Sequence, residues 1–213
     1  MVRAIVCLGI FTACGGNISA QSVNLSDSLR NVFRQPLTPV LKLDTRNSFI
    51  TGRSAQIWGV KAGVSFGKRF NLGLAYSWLH TDISKPLAEP NENLNGFIRL
   101  RYFGPFAEYT FYRKGNWEAT VPLQLGFGRS FLAEETGEIP GRLNEGNVFL
   151  YEPAMVVDYK ILNLIAVGGG VGYRLMLVNN RNLDQRFTAP VYTIRLRVLL
   201  DEWVKMGQRI VEE

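Results

Sequence analysis

The chain has 213 residues, of which 46% are hydrophobic and 12% aromatic, and it carries a formal net charge of +6. The positive surplus is mild and spread along the chain, so it gives no argument for a nucleic-acid partner. Beyond the first twenty residues no segment approaches eighteen apolar residues, which excludes a transmembrane helix.

The first twenty residues predict an export signal that is removed from the mature protein. Arg3 supplies a positive start, and residues 4–13 form an apolar stretch of the length of a signal-peptide core. Residues 18–20 read Ile-Ser-Ala, which is typical of a cleavage site before Gln21. The mature chain is therefore expected to begin at Gln21.

A lipoprotein signal is the alternative interpretation of this leader, because residues 11–14 read Phe-Thr-Ala-Cys, close to a lipobox. Cys7 and Cys14 are the two cysteines of the chain, and both lie in the leader. Cleavage after Ala20 leaves an exported protein without disulfides. Such a protein needs another source of stability, and a closed ring of paired strands provides one.

A polar N-terminal arm at 21–36 is followed by segments in which apolar and polar residues alternate, the period of a β-strand. The clearest segment begins at Trp117, where the odd positions are apolar and the even positions are polar or small. The first segment is weaker, with Leu41 and Leu43 on one face and Lys42 and Asp44 on the other. Eight strands are predicted, at 37–45, 55–66, 70–80, 96–112, 117–131, 148–159, 164–178 and 189–200.

The connectors alternate between long and short, which is typical of barrels whose loops lie on one side of a membrane and turns on the other. This alternation requires one strand over 96–112 with a bulge at Gly104–Pro105, which reverses the facing of the strand. The residues expected to point outward are Ile98, Leu100 and Tyr102 before the bulge and Ala107, Tyr109 and Phe111 after it. Short turns are expected near residues 68, 114 and 162. Long loops are expected at 46–53, 81–95, 132–147 and 179–188.

The apolar faces are continuous and rich in aromatic residues, whereas the opposite faces carry charges. This pattern predicts a barrel with lipid outside and polar groups inside. The predicted fold is all-β, a closed antiparallel eight-stranded up-and-down transmembrane β-barrel. The expected regions are a signal peptide at 1–20, the arm at 21–36, the barrel at 37–200 and an amphipathic periplasmic tail at 201–213.

Three motifs carry a resemblance to a known group: Ile-Trp-Gly-Val-Lys-Ala-Gly at 57–63, Leu-Gly-Leu-Ala-Tyr at 72–76 and Val-Gly-Gly-Gly-Val-Gly-Tyr at 167–173. With the Ser-Ala-Gln junction at 19–21, they resemble the small eight-stranded outer-membrane β-barrels of Gram-negative bacteria, and among these the exported barrels common in Bacteroidetes. The resemblance implies an outer-membrane location and a monomer that contacts outer-membrane lipids and the barrel assembly machinery. Such barrels often end on an aromatic residue, but here thirteen residues follow Leu200.

The polar faces place ionised side chains inside the predicted barrel. One interpretation is a structural plug of salt bridges, because an eight-stranded interior is nearly filled by its own side chains. The other is a narrow conduit or an anion-favouring pocket, given the surplus of arginine. The predicted interior set is Lys61, Arg99, Arg101, Glu108, Glu118, Glu152, Asp158, Arg174, Arg195 and Arg197.

Aromatic residues on the apolar faces are expected to face lipid, because aromatic girdles lie at both membrane interfaces. A role in a soluble core is the alternative. The predicted lipid-facing aromatics are Trp58, Tyr76, Trp78, Trp117, Tyr159, Tyr173 and Tyr192.

Other motifs give little support for catalysis or for a cofactor. His80, Asp82 and Ser84 supply the residue types of a hydrolase but in no recognised spacing. The glycines at 168–172 precede a strand rather than the helix that a phosphate loop needs. The acidic segment 133–138 is expected to be a solvated loop, and no Cys/His metal spacing occurs.

The first functional hypothesis is therefore a non-enzymatic outer-membrane barrel with a structural or surface-binding role carried by the long loops. A narrow, porin-like channel for small polar or anionic solutes is the alternative, motivated by the inward arginines. A soluble, lipocalin-like ligand-binding barrel is a further alternative, and it requires aromatic residues inside and arginines outside.

Overall fold

The computed structural model describes residues 35–50, 53–86, 95–134, 142–161, 164–180 and 187–199. The predicted signal peptide, most of the arm and the C-terminal tail lie outside these ranges. None of the described residues belongs to a helix with the length and apolar character required for a membrane span. The strands are β1 (Leu37–Ile50), β2 (Arg53–Phe66), β3 (Phe70–Leu79), β4 (Ile83–Pro86), β5 (Asn95–Lys114), β6 (Trp117–Glu134), β7 (Arg142–Lys160), β8 (Ile165–Val178) and β9 (Ala189–Val198).

The strands pair in a ring of antiparallel neighbours. Among the described residues, strands that follow each other in the chain are hydrogen-bonded, except β3 and β4, which do not pair. In addition, β1 pairs with β9 and β3 pairs with β5. The short strand β4 pairs with the start of β5, beyond the part of β5 that β3 covers. Eight long strands therefore form the ring, as predicted, and β4 is an addition to it.

The register of this ring is staggered. From Ala119 on β6, the paired residues lead around the ring through β7, β8, β9, β1, β2 and β3 to Arg101 on β5. Arg101 pairs with Arg129, which is ten residues farther along β6 than the starting point. A stagger of this kind requires the strands to tilt by about 40° to the barrel axis.

The two ends of the barrel differ in their connectors. The turn end holds the connections at 67–69, 115–116 and 161–164. The loop end holds the short connection at 51–52 and the longer ones at 80–94, 135–141 and 179–188. In the first turn Gly67 and Lys68 both have positive φ, at 56° and 58°. Such a pair of positive φ values matches the right-handed twist of a hairpin.

The outer wall is an uncharged band. Outward side chains on three adjacent strands are uncharged over eleven residues each, from Trp117 to Phe127 on β6, from Phe149 to Tyr159 on β7 and from Val167 to Leu177 on β8. Many of them are exposed, including Met155 at 52% and Val171 at 56%. A tilted strand needs about 9–11 residues to cross the apolar part of a bilayer, so this band has the required height.

The interior has two layers. Buried charged side chains fill the half next to the turn end, whereas an apolar cluster fills the half next to the loop end. Phe187, from the segment between β8 and β9, is fully buried in this cluster. The other members are Ile50, Ala55, Ile57, Leu79, Ile83, Ile98, Leu100, Tyr102, Leu132, Val148 and Leu150.

The predicted loop at 46–53 is wrong. Strand β1 continues to Ile50 and β2 begins at Arg53, so the connection is only residues 51–52. Arg46, Ser48 and Ile50 are buried and continue the alternation that begins at Lys42. The polar residues at 46–48 suggest a loop when only the local sequence is considered. The local sequence does not show that Arg46 and Ser48 point into the barrel and are buried there.

Strand β5 is a single strand, as predicted, but the predicted flip at Gly104–Pro105 is wrong. Its register with β3 is continuous from Arg101 to Tyr109, and the irregularity lies farther on, between Thr110 and Tyr112. The even residues Ile98, Leu100 and Tyr102 are therefore buried inside rather than outward. The predicted flip rests on the rule that apolar side chains point outward to lipid. This rule fails on β5 because the interior beside its first half is itself apolar.

Candidate functional site

The charged layer inside the barrel is the most distinctive cluster of the molecule. Among the described residues, six cationic and five anionic side chains are buried, so the charges nearly balance. They come from β1, β2, β5, β6, β7, β8 and β9, which means that almost the whole ring contributes. The members are Lys42, Asp44, Arg46, Lys61, Glu108, Glu118, Glu152, Asp158, Arg174, Arg195 and Arg197.

Glu108 on β5 is the centre of one group of contacts. Its Oε1 accepts hydrogen bonds from Lys42 Nζ at 2.6 Å and from Asn71 Nδ2 at 3.2 Å. Its Oε2 accepts one from Arg195 Nη1 at 2.6 Å, and Arg195 also forms an ion pair with Asp158. Because Lys42 and Arg195 lie on strands that are not neighbours of β5, these bonds cross the lumen.

Glu152 on β7 is the centre of a second group, nearer to the apolar cluster. It forms ion pairs with Arg46 and with Arg174, and Tyr102 Oη lies 3.1 Å from its Oε2. Arg46 also donates to Tyr102 Oη at 3.0 Å and to Asp44 Oδ1 at 3.1 Å. Strands from opposite sides of the ring are therefore joined again.

Asp44 connects β1 with β2. Lys61 Nζ lies 2.9 Å from Asp44 Oδ2, and it also stands 5.7 Å from the centre of the Phe106 ring. Lys42 Nζ stands 6.0 Å from the same ring. Phe106 thus provides an aromatic face to two lysines, an arrangement that stabilises a buried cation.

A cationic cavity lies at the turn end, below the charged layer. It has a volume of about 230 Å³, and Arg113, Glu118, Lys160 and Arg197 are among its lining residues. Glu118 accepts from Arg113 at 2.8 Å and from Lys160 at 2.8 Å, and it also pairs with Arg197. One carboxylate therefore serves three cations, so this mouth of the barrel is electropositive.

Two predicted interior residues lie elsewhere. Arg101 is exposed on the outward face of β5, and Arg99 is on the same face, with 34% of its side chain exposed and an ion pair of 2.8 Å to Asp82. Both were assigned to the interior from the flip in β5 that does not occur. The eight other predicted residues are buried in the charged layer: Lys61, Glu108, Glu118, Glu152, Asp158, Arg174, Arg195 and Arg197.

Lys42, Asp44 and Arg46 belong to the charged layer but are absent from the predicted set. Tyr102, a member of the apolar cluster that contacts Glu152, is absent from it as well. Lys42 and Asp44 had been placed on the face opposite Leu41 and Leu43, which is correct. The alternation runs on through Arg46, and following it to the end of the strand identifies all three β1 residues. Tyr102 was assigned outward with the rest of its segment.

The predicted lipid-facing aromatics all lie on the outward side of their strands. Exposed fractions range from 40% for Tyr159 to 53% for Trp117 and Tyr192, and Trp78 is partly covered. Trp117 and Tyr159 contact each other near the turn end, with ring centres 4.8 Å apart. Trp58 and Trp78 are cross-strand partners nearer the loop end.

His80 is exposed beside the aromatic wall, with its ring centre 5.6 Å from that of Trp58. Asp82 is engaged by Arg99, and the oxygens of Ser84 are engaged by Arg53 at 3.0 and 3.2 Å. Asp82 and Ser84 are therefore each paired with an arginine, and His80 contacts an aromatic ring. The predicted acidic loop lies largely outside the described residues.

The glycine-rich stretch of β8 gives space to its neighbours. Gly168 points inward, and the space that a Cβ would take there is filled by the Asp158 carboxylate. Gly169 points outward, where the nearest atom to such a Cβ is 3.9 Å away. The inward glycine therefore allows Asp158 to lie against the wall and to pair with Arg195.

Buried side chains occupy the described interior, and they form no metal-binding cluster. Among the described side chains, no group of three or more His, Cys, Asp and Glu has the geometry for a metal ion. A cavity of about 30 Å³ lies within the charged layer, lined by Gln124, Glu152 and Arg195 among others. It has room for one or two water molecules but for no larger solute.

The chain combines an apolar outer wall with an interior filled by buried side chains, many of them charged. The chain has the fold of a small antiparallel up-and-down β-barrel, similar to the eight-stranded outer-membrane barrels. The crystal structure of Neisserial surface protein A is similar to it, with a TM-score of 0.59 and 12% sequence identity over 78% of this chain and 99% of that chain.

Two further solved barrels show weaker similarity. The N-terminal β-barrel domain of Pseudomonas aeruginosa OprF has a TM-score of 0.43 and 11% identity, covering 75% of this chain and 96% of that chain. The attachment invasion locus protein Ail of Yersinia pestis has a TM-score of 0.47 and 7% identity, covering 76% and 96%. No protein-family model matches the chain, and no curated protein matches it in sequence.

Proposed function

We propose that this chain is an integral outer-membrane β-barrel with a sealed interior, which acts at the cell surface through the connections at its loop end. The observation that carries the proposal is the uncharged outer band, eleven residues high on β6, β7 and β8. Exposing such a surface to water is unfavourable for a monomer, whereas a bilayer covers it. The Bacteroidetes origin stays a prediction from the sequence.

The sealed interior supports a binding or structural role rather than transport. Ion pairs cross the lumen at Glu108 and at Glu152, and the apolar cluster fills the half above them. A conduit for polar solutes needs a continuous water-filled path, and both the crossing ion pairs and the apolar cluster stand in its way. An electropositive mouth, such as the one at the turn end, is also expected of an anion channel. Here the mouth opens onto the charged layer that fills the interior.

A soluble ligand-binding barrel is also disfavoured. Such a protein keeps its apolar side chains inside around a ligand cavity and its charges outside. Here the exposed wall is aromatic and aliphatic, and the largest fully buried side chains include Arg174 and Arg195. The surface role is therefore assigned to the connections at 80–94, 135–141 and 179–188, and no longer to 46–53.

Cysteine labelling of intact cells tests both the location and the orientation. The chain after Ala20 contains no cysteine. Asp82→Cys places a thiol at the loop end, and Asn116→Cys places one in the exposed turn at the other end. We expect a membrane-impermeant maleimide to label Asp82→Cys on intact cells and Asn116→Cys only after the outer membrane is opened.

Fractionation provides the independent control. The protein should appear in the membrane fraction, require detergent for release and migrate differently on gels before and after boiling. Recovery in the soluble fraction without detergent would falsify the proposal. Labelling of Asn116→Cys alone on intact cells would reverse the orientation and remove the surface role from the loop end.

A further inference from the structure

Two arginines face each other on the outer wall of the barrel. Arg101 on β5 and Arg129 on β6 are cross-strand partners, and both side chains are exposed on the outward face. Like charges placed directly opposite each other on a sheet are destabilising. At this position, on the border of the apolar wall, an anion that contacts both arginines would relieve their repulsion.

Carboxylates of the described residues neutralise only part of this charge. Arg129 forms an ion pair of 3.0 Å with Glu145, and Arg99, the next outward residue on β5, pairs with Asp82 at 2.8 Å. Arg101 has no ion pair or side-chain hydrogen bond with any residue that the structure describes. Within the described part of the chain, one positive charge of this cluster is left without a carboxylate.

The arginines stand where the apolar wall ends. Toward the turn end, the next outward residues are Phe103, which is 62% exposed, and Phe127, which is 45% exposed. Phe127 is stacked on Phe149, with ring centres 4.5 Å apart. The outward residues that follow on β5 and β6 are uncharged, so Arg101 and Arg129 are the first charges met on leaving the band.

A groove joins the charged and the apolar parts. It has a volume of about 320 Å³ and is lined by Arg101 and Arg129 together with Tyr76, Phe103 and Phe127. Gly128, between Phe127 and Arg129, contributes to its floor. Glu145 also lines the groove and pairs with Arg129, so the polar end holds two arginines and one carboxylate. The groove is therefore apolar at one end and net cationic at the other, as an anionic amphiphile requires.

We infer that this groove binds a phosphorylated membrane lipid, with the phosphate between Arg101 and Arg129 and an acyl chain along Phe103 and Phe127. The inference rests on the proposed membrane location. Guanidinium groups bind phosphate through paired, charge-assisted hydrogen bonds, which favours a phosphate over other headgroups. The apolar continuation of the groove favours a lipid over free phosphate, and the border of the apolar band is the depth at which lipid phosphates lie.

Lipid binding by the refolded protein in a non-ionic maltoside detergent tests the inference. The probes are dimyristoyl phosphatidic acid and dimyristoyl glycerol, which share acyl chains and differ in the phosphate, and native mass spectrometry measures the bound fraction. We expect the wild type to prefer the phosphorylated lipid. The double variant Arg101→Gln/Arg129→Gln should lose about tenfold or more in affinity for it and keep the same weak binding of the glycerol lipid.

A matched control separates the site from the overall charge. The double variant Arg69→Gln/Lys114→Gln removes the same two positive charges at exposed positions of the turn end, away from the groove. It should bind phosphatidic acid as the wild type does. Inorganic phosphate, added as a competitor, should displace the lipid poorly, because it lacks the contact with Phe103 and Phe127.

Three results would overturn the inference: equal binding of both lipids by the wild type, undiminished binding by Arg101→Gln/Arg129→Gln, or inorganic phosphate binding as tightly as the lipid. Insertion of the same preparations into vesicles distinguishes this failure from a failure of the proposed function. A protein that inserts but does not discriminate between the lipids overturns only the lipid site. A protein that does not insert overturns the proposed function and the lipid site together.

Discussion

Arg195 on β9 and Glu108 on β5 form an ion pair of 2.6 Å across the lumen, although 87 positions separate them in the chain and their strands are not neighbours. The same carboxylate holds Lys42 on β1 at 2.6 Å. Three strands are thus tied together through the centre of the barrel rather than around its wall.

Replacing Glu108 by Gln should destabilise the barrel strongly. The amide keeps the shape but leaves Lys42 buried without its carboxylate and Arg195 with Asp158 alone, and breaking a buried ion pair in this way typically costs about 3–5 kcal/mol. Urea unfolding in lipid vesicles, followed by tryptophan fluorescence, measures the free energy of unfolding. Restoring the charge balance with Lys42→Met/Glu108→Gln should recover a large part of the loss.

The matched control for this prediction is Asp82→Asn, which breaks the exposed ion pair with Arg99. Surface pairs of this kind contribute about 1 kcal/mol or less, so the control should unfold close to the wild type. Equal unfolding midpoints for Glu108→Gln and Asp82→Asn would contradict a role for the crossing ion pairs in stability.

Neighbouring glycines of β8 should respond in opposite ways to substitution. Gly168→Val forces a side chain into the space of the Asp158 carboxylate and should cost about 1–3 kcal/mol, as overpacking does. Gly169→Val points into open space on the outer wall, where a β-branched residue suits a strand, and should change stability by about 0.5 kcal/mol or less. Equal losses for the two variants would show that backbone freedom, rather than inward space, explains these glycines.

The wild-type barrel should not conduct ions. Planar bilayers containing the refolded protein are expected to show no discrete conductance steps, whereas a porin added to the same bilayer provides the positive control. Arg195→Gln should also remain silent, because the apolar cluster above the charged layer seals the lumen independently. Steps in the wild type that change size in Arg195→Gln would support the channel instead.

Outward tryptophans should be reached by lipid. Variants that keep only Trp58 or only Trp117, with the other tryptophans replaced by Phe, report on opposite ends of the wall, where these side chains are 43% and 53% exposed. We expect brominated lipids in the vesicle to quench both strongly and acrylamide in the water to quench both weakly. The reverse order of quenching would place the wall in water and contradict the membrane assignment.

Much of this architecture could be predicted from local alternation. Strands β2, β3, β6 and β8 lie within a few residues of their predicted positions because each has one clearly apolar face. The same rule failed on β5, where Ile98, Leu100 and Tyr102 point inward and Arg99 and Arg101 outward. Alternation distinguishes the two faces of a strand. It identifies the inward face only when the outward face is apolar and the inward face is not.

The sequence by itself determined that the chain forms tilted, membrane-length strands with one apolar face, because side-chain alternation is a local property of the backbone. Only the tertiary structure decided which charges meet. The stagger of ten residues around the ring sets which inward positions share a level, and it brings Glu108 to Lys42 and Arg195, and Glu152 to Arg46 and Arg174. Such partners are separated by many residues, and no local pattern contains the information that joins them.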